Sequence, residues 1–154
     1  MRRPFAFATL VGGAIGGSLD LTYAIVFSAL RGTPPLRLLQ SVATGLLGTA
    51  AYEGGVPTAM LGFVLHFCMA LLMAAAFYLL SRHWSWLVRQ PVLAAVLYGA
   101  FLYPFMQFVV LPLSAYPHSF VFRPGFFALN LLVHMFLMAL PIALATRRAA
   151  TAAW

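Results

Sequence analysis

The chain has 154 residues, 64% of them apolar and 7% charged, with a net charge of +7. A soluble domain of this size carries about a quarter charged residues, so water is not its main solvent. The nine basic residues are all arginines and fall in small groups between apolar runs. That distribution argues against a nucleic-acid surface, which needs contiguous positive charge, and suits the ends of membrane-spanning helices.

Crossing the hydrocarbon takes about 20 apolar residues at ~1.5 Å each. The first such run, 5–30, follows a basic opening that is similar to the start of a signal peptide. It is too long for a signal core and contains Asp20, so a retained helix is expected. Within it, Gly12-x-x-x-Gly16 and Gly13-x-x-x-Gly17 allow close approach by another helix. Asp20 shares a helical face with Gly13, Gly17, Ala24 and Ser28, which places it in a packed seam.

RGTPP then breaks the chain, and residues 36–52 read as a helix with Arg37, Gln40 and Ser41 at one end. Its apolar stretch is too brief to span, which predicts an interfacial or re-entrant helix. Glu53 follows it and is expected to tie down the loop by pairing with Arg37 or Arg123.

The second span, 56–80, carries Gly62, His66, Ala70, Met73 and Phe77 on one face. The single cysteine, Cys68, lies here and reads as a small packing residue. Trp84 and Trp86 follow as interface anchors, with His83 beside them. The third span, 92–113, puts Gly99, Tyr103, Gln107 and Val110 on one stripe, with Pro104 bending it. A connection with His118 and a belt of Tyr116, Phe120 and Phe122 leads to the fourth span, 126–145. There Asn130, His134, Met138 and Pro141 share a face, and Pro141 deprives the Leu137 carbonyl of its helical donor. Leu61–Ala75 and Leu129–Ala143 align His66 on His134, but four identities in fifteen do not separate a duplication from background.

Four spans put Arg2, Arg3, Arg82, Arg89, Arg147 and Arg148 on one side, and Arg31, Arg37 and Arg123 with Glu53 on the other. The bias makes both termini cytoplasmic. Asp20, His66 and His134 then lie roughly 12–15 Å from the outer end of their helices, close to the midplane. Gln107 and Asn130 fall slightly further out.

Ionisable groups at that depth are costly, and function is the default hypothesis for them. Four readings stay open. Asp20 could clasp one or both histidines and set helix register. The group could handle protons or ions, since histidine titrates near neutrality and a carboxylate biases its charge. His66 and His134 could be axial ligands of a b-type haem in an electron-transfer module, where Asp20 would be out of place. Copper or zinc could sit on His66, His134 and Asp20. No cofactor is expected, and no nucleophile elbow, zincin or phosphate-loop motif marks an enzyme.

GGSLDLTYA, LQSVATGLLGTAAYEGG, LGFVLHF, LYGAFLYPFMQFVVLPLSA and the closing His134, Pro141, Ile142 and Ala143 together give a chain that resembles the YagU-like small bacterial inner-membrane proteins. The resemblance implies a bacterial inner-membrane location and a multi-helix bundle. It carries over no catalytic residue. The expectation is an all-α membrane protein: a four-helix transmembrane bundle in one domain, with a short interfacial or re-entrant helix between the first two spans. Its partners are the lipid bilayer and, in an accessory-subunit reading, other membrane proteins or a second copy; nucleic acid is not among them.

Overall fold

A computed structural model describes residues 2–117 and 121–151, and all regular structure in them is helical. His118 and Phe120 of the expected connection lie outside the described residues. Helix α1 covers Arg2–Leu30 and α2 Pro35–Leu47, continued by a 3-10 turn over Gly48–Tyr52. Helix α3 runs Gly55–His83 and the short α4 covers Trp86–Arg89. Helix α5, Pro91–Phe105, passes into a π-helical turn over Met106–Val110. The last long rod is α6, Pro124–Val133, a π-helical segment over His134–Ala139, and α7, Leu140–Thr151.

Four of these rods, Arg3–Leu30, Gly55–His83, Pro91–Val110 and Pro124–Thr151, are long and apolar enough to cross a membrane. The third ends at Val110, short of the expected 113, in a run of turns. Helix α2 has 13 residues, about 20 Å, which falls short of a ~30 Å hydrocarbon layer. Instead it packs on the first half of α3. Gln40 Nε2 donates to the Gly55 carbonyl at 3.0 Å and lies 3.4 Å from Thr58 Oγ1. Thr58 Oγ1 in turn donates to the Ala51 carbonyl at 2.6 Å. A methyl group at Gly62 would collide with the Leu39 carbonyl, so this glycine is where α2 lies on α3.

The glycines of α1 set the centre of the bundle. A Cβ at Gly13 would lie 3.0 Å from Leu71 Cα, and one at Gly17 2.9 Å from Ala70 Cβ, both on α3. A Cβ at Gly12 would lie 3.0 Å from Ile142 Cα, and one at Gly16 2.6 Å from the Met138 carbonyl oxygen, both on the last rod. The two interleaved glycine pairs therefore serve two different helices, and α1 lies between them. Gly99 does the same for α5, where a side chain would strike the backbone of His134 and Met135. The core this creates is made of small residues with a few large ones, including Ala70, Ala74, Phe77, Ala94, Ala139 and Ile142. Leu10, Leu72, Val92, Phe101 and Leu132 point outward, an inversion of the water-soluble pattern that suits lipid. Cys68 is also exposed rather than packed inside.

Both π-helical segments adjoin a proline. Pro104 lies just before Met106–Val110, and Pro141 just after His134–Ala139. Each proline leaves the carbonyl four residues back, that of Ala100 or Leu137, without its helical donor, and a break in regular helical bonding lies within a turn of each.

Candidate functional site

Asp20, His66 and His134 lie at one level, as their helical positions require. Asp20 is ten residues before Leu30, His66 eleven after Gly55, and His134 ten after Pro124, roughly 15 Å of rise in each case. They do not close on one another. Among the described residues, no group of three or more His, Cys, Asp or Glu side chains is placed to hold a metal ion. The copper or zinc set of Asp20, His66 and His134 is therefore not assembled. Nor does a hydrogen bond or ion pair join Asp20 to either histidine among those residues.

The reason is that the two rings address different neighbours. His66 Nε2 donates to the Gly17 carbonyl at 2.9 Å, on the glycine face that α1 turns to α3. Phe67 stands edge-on to the same ring, with centroids 5.4 Å apart. His134 instead donates from Nδ1 to the Asn130 carbonyl of its own helix at 2.9 Å. Its ring lies against Tyr103 of α5, with centroids 5.0 Å apart. Two axial haem ligands must face each other across one slot. Here one ring is committed to α1 and the other to α5.

Around His134 a different group forms. Its carbonyl partner fixes the proton on Nδ1 and leaves Nε2 as an open acceptor. Tyr103, which is 3% exposed, has a buried hydroxyl with no hydrogen-bond partner among the described residues, and so has Tyr23 of α1. The two phenols lie within electrostatic reach of each other, and Tyr23 is within reach of Asp20 one turn away. The rings of Tyr23 and Phe27 stack at 5.5 Å, Phe27 meets Phe126 at 5.8 Å, and Tyr103 meets Phe127 at 5.1 Å. These aromatics pack on the side of the group towards Arg31 and Arg123. Tyr103 lies in the last turn of α5, next to Pro104 and ahead of the π-helical turn, and His134 begins a π-helical segment. The phenol–imidazole pair thus sits where two irregular helices meet.

The remaining expected residues are peripheral. Asn130 turns its side-chain amide onto the Phe126 carbonyl at 2.8 Å, one turn back on its own helix. Gln107 is half-buried in the π-helical turn of α5 and has no hydrogen bond among the described residues. Among the described residues, Glu53 pairs with neither Arg37 nor Arg123. Arg37 instead lies 3.8 Å above the Tyr52 ring and donates to the Tyr52 carbonyl at 3.3 Å, at the end of the 3-10 turn.

Tyr23 and Tyr98 were not anticipated. Tyr23 was legible: Gly16, Asp20, Tyr23 and Phe27 form an i, i+4, i+7, i+11 stripe, one face round from the stripe read through Gly13 and Gly17. Tyr98 donates to the Met73 carbonyl at 2.8 Å and ties α5 to α3; nothing in a lone tyrosine of an apolar helix announces such a partner. No family model matches the chain, and neither a curated protein nor a solved structure matches it.

Proposed function

We propose that this is a non-enzymatic, multi-pass protein of a bacterial inner membrane, with both termini cytoplasmic, whose His134–Tyr103–Tyr23–Asp20 group handles protons. The observation that carries the proposal is the buried, unpartnered Tyr103 hydroxyl on a ring against the His134 imidazole, with a second unpartnered phenol, Tyr23, within electrostatic reach. An unpaired buried hydroxyl costs about 1–3 kcal/mol, so two within electrostatic reach of each other call for water or a transferable proton as the missing partner. His134 Nε2 accepts a proton relayed by the Tyr103 hydroxyl and gives it up again, and Tyr23 beside Asp20 continues the path on α1. The location rests on the arginine bias and on the resemblance to YagU-like proteins.

A second role belongs to His66, and its bond to Gly17 favours it: a clasp that fixes α3 against α1. The test is proton flux into proteoliposomes carrying a pH-sensitive dye, driven by a potassium diffusion potential. The intact protein should collapse the imposed gradient, and His134→Gln and Tyr103→Phe should slow this at least tenfold. Flux equal to that of protein-free vesicles would overturn the proposal.

A further inference from the structure

The seam between α1 and the last rod ends in a pair of arginines at each face. At one end Arg3 and Arg148 line a cavity of about 260 Å³ with Pro4, Phe7 and Ala149. These belong to the arginine-rich face, where the positive-inside rule accounts for them. The pair at the other end has no such account. Arg31, just past α1, and Arg123, just before α6, line a cavity of about 310 Å³ with Phe27, Ser28, Val121 and Phe126. The chain has only two acids. Asp20 lies eleven residues deeper than Arg31, and Glu53 follows the Tyr52 to which Arg37 is bound. Among the described residues, neither guanidinium has a hydrogen bond or an ion pair; Arg31 has only the Phe27 ring, 5.5 Å from its centroid. Two unneutralised cations on one small cavity repel each other, and an anion between them removes that cost.

We propose that Arg31 and Arg123 hold the phosphate of an anionic phospholipid. Guanidinium groups match phosphate oxygens with paired N–H donors. The cavity lies at the low end of the ~300–1,000 Å³ found for small-molecule sites, enough for a headgroup but not for chains. Phe27 and Phe126, each about one turn deeper in its helix than the neighbouring arginine, give it an apolar wall that a soluble phosphate would not need. The site lies past the end of the His134 group, and the proposal stands independently of proton handling.

The experiment is a thermal-shift titration of the full chain in neutral detergent with short-chain phosphatidylglycerol, and separately with glycerol 3-phosphate. Phosphatidylglycerol should raise the melting temperature saturably, with glycerol 3-phosphate at least tenfold weaker. Arg31→Gln and Arg123→Gln should each weaken the lipid about tenfold. The variant Arg89→Gln, with the same loss of charge as either, should bind as the intact protein does. Equal weakening by that control would reduce the effect to net charge and overturn the site. Equal affinity for glycerol 3-phosphate would overturn the lipid as its source. Should either single variant fail to fold, Arg31→Lys and Arg123→Lys keep the charge and lose the paired geometry, and unchanged affinity in both would overturn the site.

Discussion

His66 donates to the Gly17 carbonyl across 2.9 Å, and the bond exists because Gly17 and Ala70 leave α1 and α3 almost backbone to backbone. A larger residue at either position would push the ring out of reach. Polar contacts between membrane helices contribute about 1 kcal/mol. His66→Leu should therefore lower the melting temperature by only about 2–4 °C, and His66→Gln, which keeps a donor at similar reach, by less. Neither change should affect proton flux. A loss of flux in His66→Gln would move His66 from the clasp into the conducting group.

The glycine seams should be far less forgiving. A Cβ at Gly16 would lie 2.6 Å from the Met138 carbonyl oxygen, a backbone atom that cannot swing aside. Overpacking of this kind costs about 1–3 kcal/mol. Gly16→Ala should be clearly destabilised in a thermal-melt assay, whereas Gly125→Ala, with nothing within 4 Å of the added carbon, should be neutral. Equal melting temperatures for the two would mean that α1 and the last rod are not in this close register.

Much of this architecture was legible because bilayer physics leaves few options. Apolar length marks the four long rods, and the extra residues found at Arg2–Leu30, Gly55–His83 and Pro124–Thr151 are polar or mixed ends that a hydropathy reading trims. Interleaved glycines in α1 pointed to close packing but not to two separate partners, since a single helix cannot say what lies on each side. Depth along a helix placed Asp20, His66 and His134 at one level. Depth says nothing of azimuth, and α1 stands between α3 and the last rod, with His66 bound to it from the α3 side. The π-helical turn at His134 is the other reason: it shifts side-chain directions in a way that ordinary helical periodicity does not capture.

Topology can be read directly. Reporter fusions placed at Ser114 and at the C-terminus should report opposite sides, periplasmic and cytoplasmic respectively, as the arginine bias requires. Ser114 is suited to this, because it lies in the turn whose Ala115 amide donates to the Gly45 carbonyl of α2 at 2.9 Å. The reverse pattern would invert the protein and place the Arg31–Arg123 cavity on the cytoplasmic leaflet.

Tyr103→Phe separates stability from function with a definite sign. The Tyr103 hydroxyl is buried and has no protein partner, so removing it deletes a desolvated polar group without breaking a bond. A phenylalanine ring keeps the packing against His134 and Phe127. The variant should melt at the same temperature as the intact protein or higher, since an unpaired buried polar group costs about 1–3 kcal/mol. Tyr98→Phe is the counterpart: its hydroxyl holds the Met73 carbonyl at 2.8 Å, and its loss should lower stability by about 1 kcal/mol. If the Tyr103 hydroxyl is kept for proton handling, the more stable variant is the one that loses flux. A Tyr103→Phe protein that is less stable and still conducts would place the hydroxyl in a structural water network instead.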